Sequence, residues 1–285
     1  MKKIGLFIVL ISLLIPVFSQ KSLNVMTYNI RLDLPSDSLN SWPYRKDNLI
    51  SEVLFYETDI LGVQEALPHQ MQDLQNGLPG FKYAGVGRDT SKWGEYSAIF
   101  YNAERLKIIE QNTFWLSENM NAVGVKGWDA AYPRIVTWAK FKDQKIKKVF
   151  YYFNTHFDHI GKEARRQSAH LLLQQVAKIA GKFPTIISGD FNANINDEPI
   201  KIILDKNDPL HFTDSKVISA TPHYGPSGSF NAFKQKEQSD LPIDFIFIKN
   251  GVTVLKHSNF SQTWNGRFAS DHFSVFAKIL IGDKE

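Results

Sequence analysis

Residues 185–194, TIISGDFNAN, place a carboxylate and an amide directly after an apolar run. The two isoleucines predict a buried strand, and Gly189 would let the backbone turn sharply without a side-chain clash. Asp190 and Asn192 are two residues apart, so on an extended backbone they point the same way. A carboxylate and an amide at the end of a strand are typical of α/β catalytic sites, although a turn or helix cap is the alternative.

Other polar side chains interrupt apolar segments at predicted strand ends along the whole chain. With the pair above, the set is Asn29, Glu65, His156, Asp190, Asn192, Asp244, Asp271 and His272. If the strand ends share one rim, these side chains converge on one site. Carboxylates and neutral amides suit a hard divalent ion, Mg²⁺ or Mn²⁺, and the two histidines could then contact phosphate rather than metal. The chain has no cysteine, which excludes thiolate catalysis.

The elements that must position these residues are mostly strands. Apolar patterns predict helices over residues 45–57, 68–78, 162–182 and 198–204. Strands are predicted over residues 23–30, 59–65, 81–86, 96–101, 106–114, 134–141, 148–154, 185–189, 243–248, 252–256 and 274–279. A doubly wound sheet would show a helix between most strands, so two facing sheets with helices outside fit better.

The N-terminal residues have the pattern of an export signal. Lys2 and Lys3 precede an apolar stretch, and Val17-Phe18-Ser19 fits a small-residue cleavage site. About 14 apolar residues are short for a membrane span of roughly 20. We therefore expect a signal peptide over residues 1–19 and a single catalytic domain over residues 20–285. The mature protein would be periplasmic or extracellular, without a membrane span.

The charge balance gives no sign of general nucleic-acid binding. The chain has 33 Lys and Arg against 29 Asp and Glu, and removal of Lys2 and Lys3 leaves 31 against 29, a net charge of +2. Three loops, residues 88–95, 117–133 and 219–240, are the places where substrate choice would reside, and none of them is strongly basic. A nuclease of duplex DNA would more often carry a stripe of basic residues.

Six segments give a family resemblance. LNVMTYNIR, ILGVQEA, NTHFDH, SGDFNA, PIDFIF and SDHFSV occur in the order seen in the endonuclease/exonuclease/phosphatase family, which includes deoxyribonuclease I and the deadenylases. The resemblance covers essentially the whole mature chain. It implies a four-layer α/β sandwich, two facing mixed β-sheets with helices outside. It also implies Mg²⁺- or Mn²⁺-dependent hydrolysis of phosphate esters by in-line attack of water.

The same resemblance implies a metal side and a water-activating side. Glu65 looks like the principal metal carboxylate, Asn29 would hold the metal's surroundings or a phosphate oxygen, and Asp271 looks like a further carboxylate on the metal side. Asp190 resembles the residue that orients or deprotonates the attacking water. Asn192 would hold that water or a phosphate oxygen.

The histidines resemble the family's phosphate-contacting residues. His272 would be oriented by Asp244, and His156 would pair with Glu95, which precedes a predicted strand. Arg134 follows the loop WDAAYPR and could contact phosphate or form a surface ion pair.

Four further residues are assigned less directly. Trp128 and Phe230 lie on the long loops and are predicted to stack on a substrate, with core or rim packing as the alternative. Asp158 could brace the loop before it or cap the long helix, and His159 could simply pack.

The sequence leaves the substrate open. A phosphodiesterase or phosphatase acting on a small molecule, a sugar phosphodiester or a lipid head group is the first hypothesis. A secreted nuclease acting on DNA or RNA is the alternative, followed by a phosphate-ligand binding module that has lost its chemistry. We expect a monomer.

Overall fold

Two six-stranded sheets face each other in the computed structural model, which describes residues 22–91, 94–235 and 240–283. The strands are β1 (Leu23–Asn29), β2 (Ile60–Gln64), β3 (Phe81–Ala84), β4 (Ile99–Asn102), β5 (Leu106–Trp115), β6 (Ile135–Asp143), β7 (Val149–His156), β8 (Thr185–Asp190), β9 (Thr213–Asp214), β10 (Asp244–Lys249), β11 (Val252–Phe260) and β12 (Ser274–Ile281). The first sheet has the order β11-β12-β1-β2-β4-β3, and the second has the order β5-β6-β7-β8-β10-β9. Both sheets are mixed, because β1 pairs with β2 and β7 with β8 in parallel.

Four α-helices cover the outer faces of the sheets. They are α1 (Trp42–Phe55), α2 (Pro68–Gly77), α3 (Lys162–Ala180) and α4 (Glu198–Leu204), and a short 3-10 helix spans Pro35–Asn40. One apolar cluster joins α1 and α2 to the first sheet, another joins α3 and α4 to the second, and a third fills the space between the sheets. The predicted four-layer sandwich is therefore confirmed.

The boundaries differ from the prediction mainly where local bonds extend an element. Helix α1 begins at Trp42, three residues before the predicted start, because Asp33 Oδ1 accepts the Trp42 N–H at 3.2 Å and Pro43 occupies the first turn. The two-residue strand β9 was not predicted, since it is too short to show an alternation. The predicted signal peptide lies outside the described residues. Within those residues, no helix is both long and apolar enough to cross a membrane.

A buried polar layer joins the two sheets near the ends of their parallel strands. Gln64 Nε2 donates to Thr27 Oγ1 at 2.9 Å and to Asn154 Oδ1 at 2.7 Å, which links the first sheet to the second. Ser188 Oγ donates to the same Asn154 oxygen at 3.2 Å. Gly62 leaves room for these groups, since a Cβ there would lie 2.6 Å from Asn154 Oδ1. The layer fixes how the two sheets align at this end.

Strand register brings the polar strand ends together. His156 pairs with Asp190 across parallel β7 and β8, and Asp190 pairs with Asp244 across antiparallel β8 and β10. In the first sheet, Asn29 at the end of β1 pairs with Gln64, the residue before Glu65. Both sheets thus present polar side chains at one rim, as the sequence predicts.

Gly189 is required inside strand β8 rather than at a turn. Its φ is +150°, and a Cβ there would lie 2.0 Å from the carbonyl oxygen of Thr155 on the neighbouring strand. We expect Gly189→Ala to lower the free energy of unfolding by about 3 kcal/mol, because the neighbouring backbone must move. Gly80→Ala is the matched control, since Gly80 has a φ of +80° and an added Cβ there would lie no closer than 3.8 Å to another side chain.

Urea unfolding of the two variants checks this expectation. The control should cost only about 1 kcal/mol, the strain of a left-handed residue. Equal losses in the two variants would contradict the steric role of Gly189.

Candidate active site

A cleft of about 590 Å³ opens where the polar strand ends meet. Nine of the predicted site residues line it: Glu65, Glu95, Arg134, His156, Asp190, Asn192, Phe230, Asp271 and His272. Asn29 and Asp244 lie just behind this lining, buried and bonded to residues that line the cleft. The roles predicted for these residues stay predictions, but their convergence is a property of the fold.

Asp190 lies at the centre of this cluster. Its Oδ2 accepts a bond from Asn29 Nδ2 at 3.0 Å, and its Oδ1 accepts one from the backbone N–H of Asn192 at 2.8 Å. The same Oδ2 lies 3.5 Å from His156 Nε2 and 3.9 Å from His272 Nε2. Burial, reinforced by the negative charge of Asp244, raises the pKa of Asp190 to about 7.

Asn192 reaches the cleft through a tight turn and not through an extended backbone. Its φ is +46°, in the left-handed region, and its N–H closes the turn onto Asp190. The side-chain Nδ2 donates to His156 Nε2 and to the Phe157 carbonyl oxygen, both at 3.0 Å. The sequence correctly predicted that Asn192 lies beside Asp190, but the extended backbone on which that prediction was based is not observed.

His272 and Asp244 form a buried pair. His272 Nδ1 donates to Asp244 Oδ2 at 2.8 Å, as the family resemblance implied. Burial alone would lower the pKa of His272, but the charge and hydrogen bond of Asp244 raise it to about 10. At neutral pH this imidazole is positively charged, and its Nε2–H remains directed to the Asp190 side of the cleft.

His156 has the opposite electrostatic surroundings. Burial lowers the pKa of His156 well below its usual value, and the charges of Arg134 and Arg88 lower it further. In a neutral imidazole protonated at Nδ1, the Nε2 lone pair can accept the hydrogen bond that Asn192 Nδ2 donates. The expected pairing with Glu95 is wrong: Glu95 Oε1 instead forms an ion pair with Arg88 NH2 at 2.7 Å.

Glu65 and Asp271 provide carboxylates on the other side of the cleft. Glu65 has a φ of +64°, and this left-handed turn after β2 lets its oxygens accept bonds from Asn29 Nδ2 and the Leu32 N–H, both at 3.0 Å. Burial would raise the pKa of Glu65, but these bonds and the His272 charge lower it overall. Asp271 Oδ2 lies 3.7 Å from Arg31 NH1.

The donor atoms in this region fit a hard divalent cation. Glu65 and Asp271 offer oxygens at the cleft surface. Burial and the nearby negative charge of Glu65 raise the pKa of Asp271, and a bound cation would relieve this repulsion. A second group, Asp190, Asp244 and His272, has potential ligand atoms within 4.8 Å of one another. We favour Glu65 and Asp271, since Mg²⁺ prefers oxygen ligands and His272 Nδ1 already binds Asp244 Oδ2. Asp244 Oδ1 is buried without a hydrogen-bond partner among the described residues.

Arg134 lines the cleft and is held by the segment that follows β7. Arg134 Nε donates to Asp158 Oδ2 at 3.3 Å, and its NH2 contacts His159 Nδ1 at 3.1 Å. Asp158 Oδ1 also accepts the Gly161 N–H at 2.8 Å, just before α3. Asp158 therefore both braces the loop and holds the entry to the helix, and His159 faces the cleft instead of only packing.

The two aromatic residues predicted to stack on a substrate have different positions. Phe230 lines the cleft with its ring centroid 5.0 Å from that of His272. Trp128 does not line the cleft. Its loop is drawn towards α3, because Asp129 Oδ1 accepts the Ala164 N–H at 2.7 Å and the Trp128 N–H bonds to Glu118.

Sequence reasoning missed six other residues of the cleft lining, Arg31, Leu32, Leu67, Arg88, Tyr132 and Ile243. Several are sequence neighbours of residues that were found. Arg31 lies two residues after Asn29, and Tyr132 lies two residues before Arg134. Their proximity to a recognised motif could have indicated that they line the site. For Arg88 the sequence offers only its position in a polar loop.

The sequence matches the model of the endonuclease/exonuclease/phosphatase family over residues 26–272. Together with the sandwich fold and the cleft, this match shows that the chain belongs to that family. Members of the family hydrolyse phosphoester bonds and depend on divalent metal ions.

Solved structures and a curated relative agree with this assignment. A family member from Bacteroides vulgatus is 39% identical, with a TM-score of 0.87 over 92% of this chain and 100% of that one. The mannosyl-6-phosphatase of Bacteroides thetaiotaomicron VPI-5482 is 34% identical, with a TM-score of 0.83 over 91% of this chain and 100% of that one. The CCR4-Not complex 3'-5'-exoribonuclease subunit Ccr4 of Mycosarcoma maydis is 24% identical over 61% of this chain and 34% of its own length. The chain spans 60% of the length of another curated relative.

Removal of the Glu65 charge should weaken metal binding directly. We expect Glu65→Gln to reduce Mg²⁺ affinity by about tenfold or more, because a partly buried carboxylate at the proposed metal site is replaced by a neutral amide. Isothermal calorimetry with Mg²⁺ and Mn²⁺ measures this without substrate. Glu110→Gln, at an exposed position on β5, is the control and should bind as the wild type does. Unchanged affinity in Glu65→Gln would place the metal elsewhere.

Proposed function

We propose that the protein is an exported, divalent-metal-dependent phosphatase of small phosphate esters, with sugar phosphates as preferred substrates. The observation that carries the proposal is the position of Asp190. Its buried carboxylate is held by Asn29 and Asn192, and it lies within 3.5 Å of one histidine and 3.9 Å of another. This arrangement suits a base that activates water beside groups that bind a phosphoryl oxygen.

In the proposed reaction, water attacks phosphorus in line with the bond to the leaving alkoxide. A new P–O bond forms, the P–O bond to the alcohol breaks, and Asp190 accepts the proton from the water. Asn29 keeps the carboxylate oriented through its 3.0 Å bond. The leaving alkoxide takes a proton from solvent water, and protonated Asp190 returns its proton to solvent after the products leave, so the net reaction consumes one water molecule.

The two histidines have different roles: one binds the phosphoryl group and the other positions Asn192. His272, charged through Asp244, donates its Nε2–H to a phosphoryl oxygen. His156 is neutral and holds Asn192 in place through Nε2, so that the Asn192 amide is fixed beside Asp190. Donors fixed in advance around the developing charge supply a large share of catalysis.

Glu65 and Asp271 would hold the divalent ion. When bound, such an ion supplies positive charge that stabilises the negative charge developing on the phosphoryl oxygens. Mg²⁺ and Mn²⁺ both suit these oxygen ligands.

The charge of the cleft favours a small substrate over a nucleic acid. Its described lining contains three arginines and no lysine. All three face carboxylates: Arg31 pairs with Asp37, Arg88 with Glu95 and Arg134 with Asp158. A groove that follows a nucleic-acid backbone carries uncompensated positive charge. The phosphatase relative is also 34% identical to this chain, whereas the exoribonuclease subunit is 24% identical.

The proposal predicts how Asp190→Asn behaves on a panel of substrates. With Mg²⁺ or Mn²⁺, the wild type should hydrolyse hexose 6-phosphates faster than bis-p-nitrophenyl phosphate and leave plasmid and oligoribonucleotide intact. Asp190→Asn should lower kcat by about 10²- to 10³-fold, because the base is lost while the geometry is kept. Asp205→Asn, at an exposed position after α4, is the control and should retain full activity.

Other outcomes of the same substrate panel would favour a different function. Fast cutting of oligonucleotides that is lost in Asp190→Asn would favour a nuclease, and preference for the diester would favour a phosphodiesterase. Ligand binding without turnover in any metal would favour a binding module.

Export rests on the pattern of Lys2, Lys3 and the apolar residues that follow. We expect the full chain, expressed in a bacterium with an outer membrane, to appear in the periplasm or medium as a monomer that begins at Gln20. N-terminal sequencing and gel filtration of that fraction measure both properties. An uncleaved chain retained in the cytoplasm would contradict export.

A further inference from the structure

We propose that Tyr132 and the Arg88–Glu95 ion pair form a subsite that binds the sugar of the substrate, the alcohol that leaves after hydrolysis. This inference rests on the proposed function and names the residues that would select its substrate. All three side chains line the same cleft as His156 and Asp190. The subsite is therefore next to the position of the phosphoryl group.

Tyr132 presents a fixed aromatic side chain to the cleft. It is 48% exposed, although its ring lies against the Arg88 guanidinium at 4.7 Å and near the His159 ring at 5.9 Å. Asp158 Oδ2 accepts its backbone N–H at 3.2 Å, which holds this part of the loop. An exposed ring held in one place can pack against the C–H groups of a pyranose at low entropic cost.

Arg88 and Glu95 provide a planar donor and a planar acceptor side by side. Their NH2 and Oε1 atoms are 2.7 Å apart, and the backbone N–H of Arg88 bonds to the Glu95 carbonyl oxygen at 2.9 Å. Trp115 Nε1 donates to the Arg88 carbonyl oxygen at 2.8 Å, which anchors the loop from below. Adjacent hydroxyls of a sugar each donate and accept, so they match such a pair.

The guanidinium of Arg88 retains hydrogen-bonding capacity. Arg88 is only 8% exposed, yet its Nε has no hydrogen-bond partner among the described residues. A buried donor without a partner is costly. A hydroxyl-rich ligand that draws the guanidinium slightly towards the cleft would satisfy it.

The charges favour a neutral polyol over a second anion. Arg88 is neutralised by Glu95, and the neighbouring Arg134 is neutralised by Asp158 at 3.3 Å. A second phosphate or a nucleic-acid backbone would need to displace one of these carboxylates. A sugar ring can bind to both members of an ion pair without breaking it.

The test compares two phosphatase substrates that differ in the leaving alcohol, hexose 6-phosphate and glycerol phosphate. The specificity ratio is kcat/KM for the hexose ester divided by kcat/KM for the glycerol ester. We expect Tyr132→Ala and Arg88→Lys each to lower this ratio by about tenfold or more. The change should be in KM for the hexose ester, and Tyr132→Phe should restore the ratio. Tyr224→Ala, at a 73% exposed position outside the cleft lining, is the matched control and should keep the wild-type ratio.

A binding measurement separates this inference from the proposed function. Calorimetry measures the affinity of glucose 6-phosphate and mannose 6-phosphate for Asp190→Asn and for the double variant Asp190→Asn/Tyr132→Ala. Because Asp190→Asn turns over slowly, the difference between the two affinities reports binding at the subsite alone. Weaker binding in the double variant than in Asp190→Asn supports the subsite, whether or not the wild type hydrolyses these esters. Failure of the wild type to hydrolyse either ester would overturn only the proposed function. An unchanged kcat/KM ratio, equal binding, or preferential loss of oligonucleotide binding in Tyr132→Ala would each overturn the subsite.

Discussion

The site depends on one amide that joins carboxylates from the two sheets. Asn29 Nδ2 donates to Glu65 at the end of β2 and to Asp190 at the end of β8, each at 3.0 Å. The buried carboxylate of Asp190 and the partly buried one of Glu65 would otherwise repel each other at this distance from one donor, and burial adds the cost of lost hydration. Ser270 Oγ fixes the Asn29 backbone through a 2.7 Å bond to its carbonyl oxygen. Asn29 can bind both carboxylates only where the two sheets are aligned, and the buried polar layer behind them fixes that alignment.

The sequence predicted which residues meet, since strand ends are marked by polar residues that interrupt apolar runs. His156, Asp190 and Asp244 could be assigned to one rim because each follows or begins a clear strand. The left-handed turns at Glu65 and Asn192 could not be predicted in the same way. Local preferences disfavour this conformation for Glu65, whose side chain is held by the remote Leu32 N–H. Asn tolerates it, but the side chain of Asn192 is oriented by the remote Phe157 carbonyl oxygen.

Loops were predicted less well for a related reason. Residues 117–133 lack any periodicity, so the sequence offered Trp128 as the large aromatic residue of that loop. The structure instead turns Tyr132 to the cleft, because Asp158 holds its N–H while Asp129 draws the preceding residues to α3. Glu95 likewise pairs with Arg88 and not with His156. Side-chain partners across loops depend on tertiary contacts that a single sequence does not reveal.

The electrostatic division between the two histidines follows from their neighbours. Asp244 raises the pKa of His272 and keeps it charged, whereas burial, with the charges of Arg134 and Arg88, lowers the pKa of His156 and keeps it neutral. Both imidazoles nevertheless lie near the same Asp190 oxygen. A single charged imidazole avoids repulsion between two cations and leaves one strong donor, which in the proposed reaction faces the phosphoryl group. The arginines that discharge His156 are themselves neutralised by Glu95 and Asp158. They can therefore lower the pKa of His156 without adding net charge to the cleft, which agrees with the proposal that an uncharged alcohol leaves on that side.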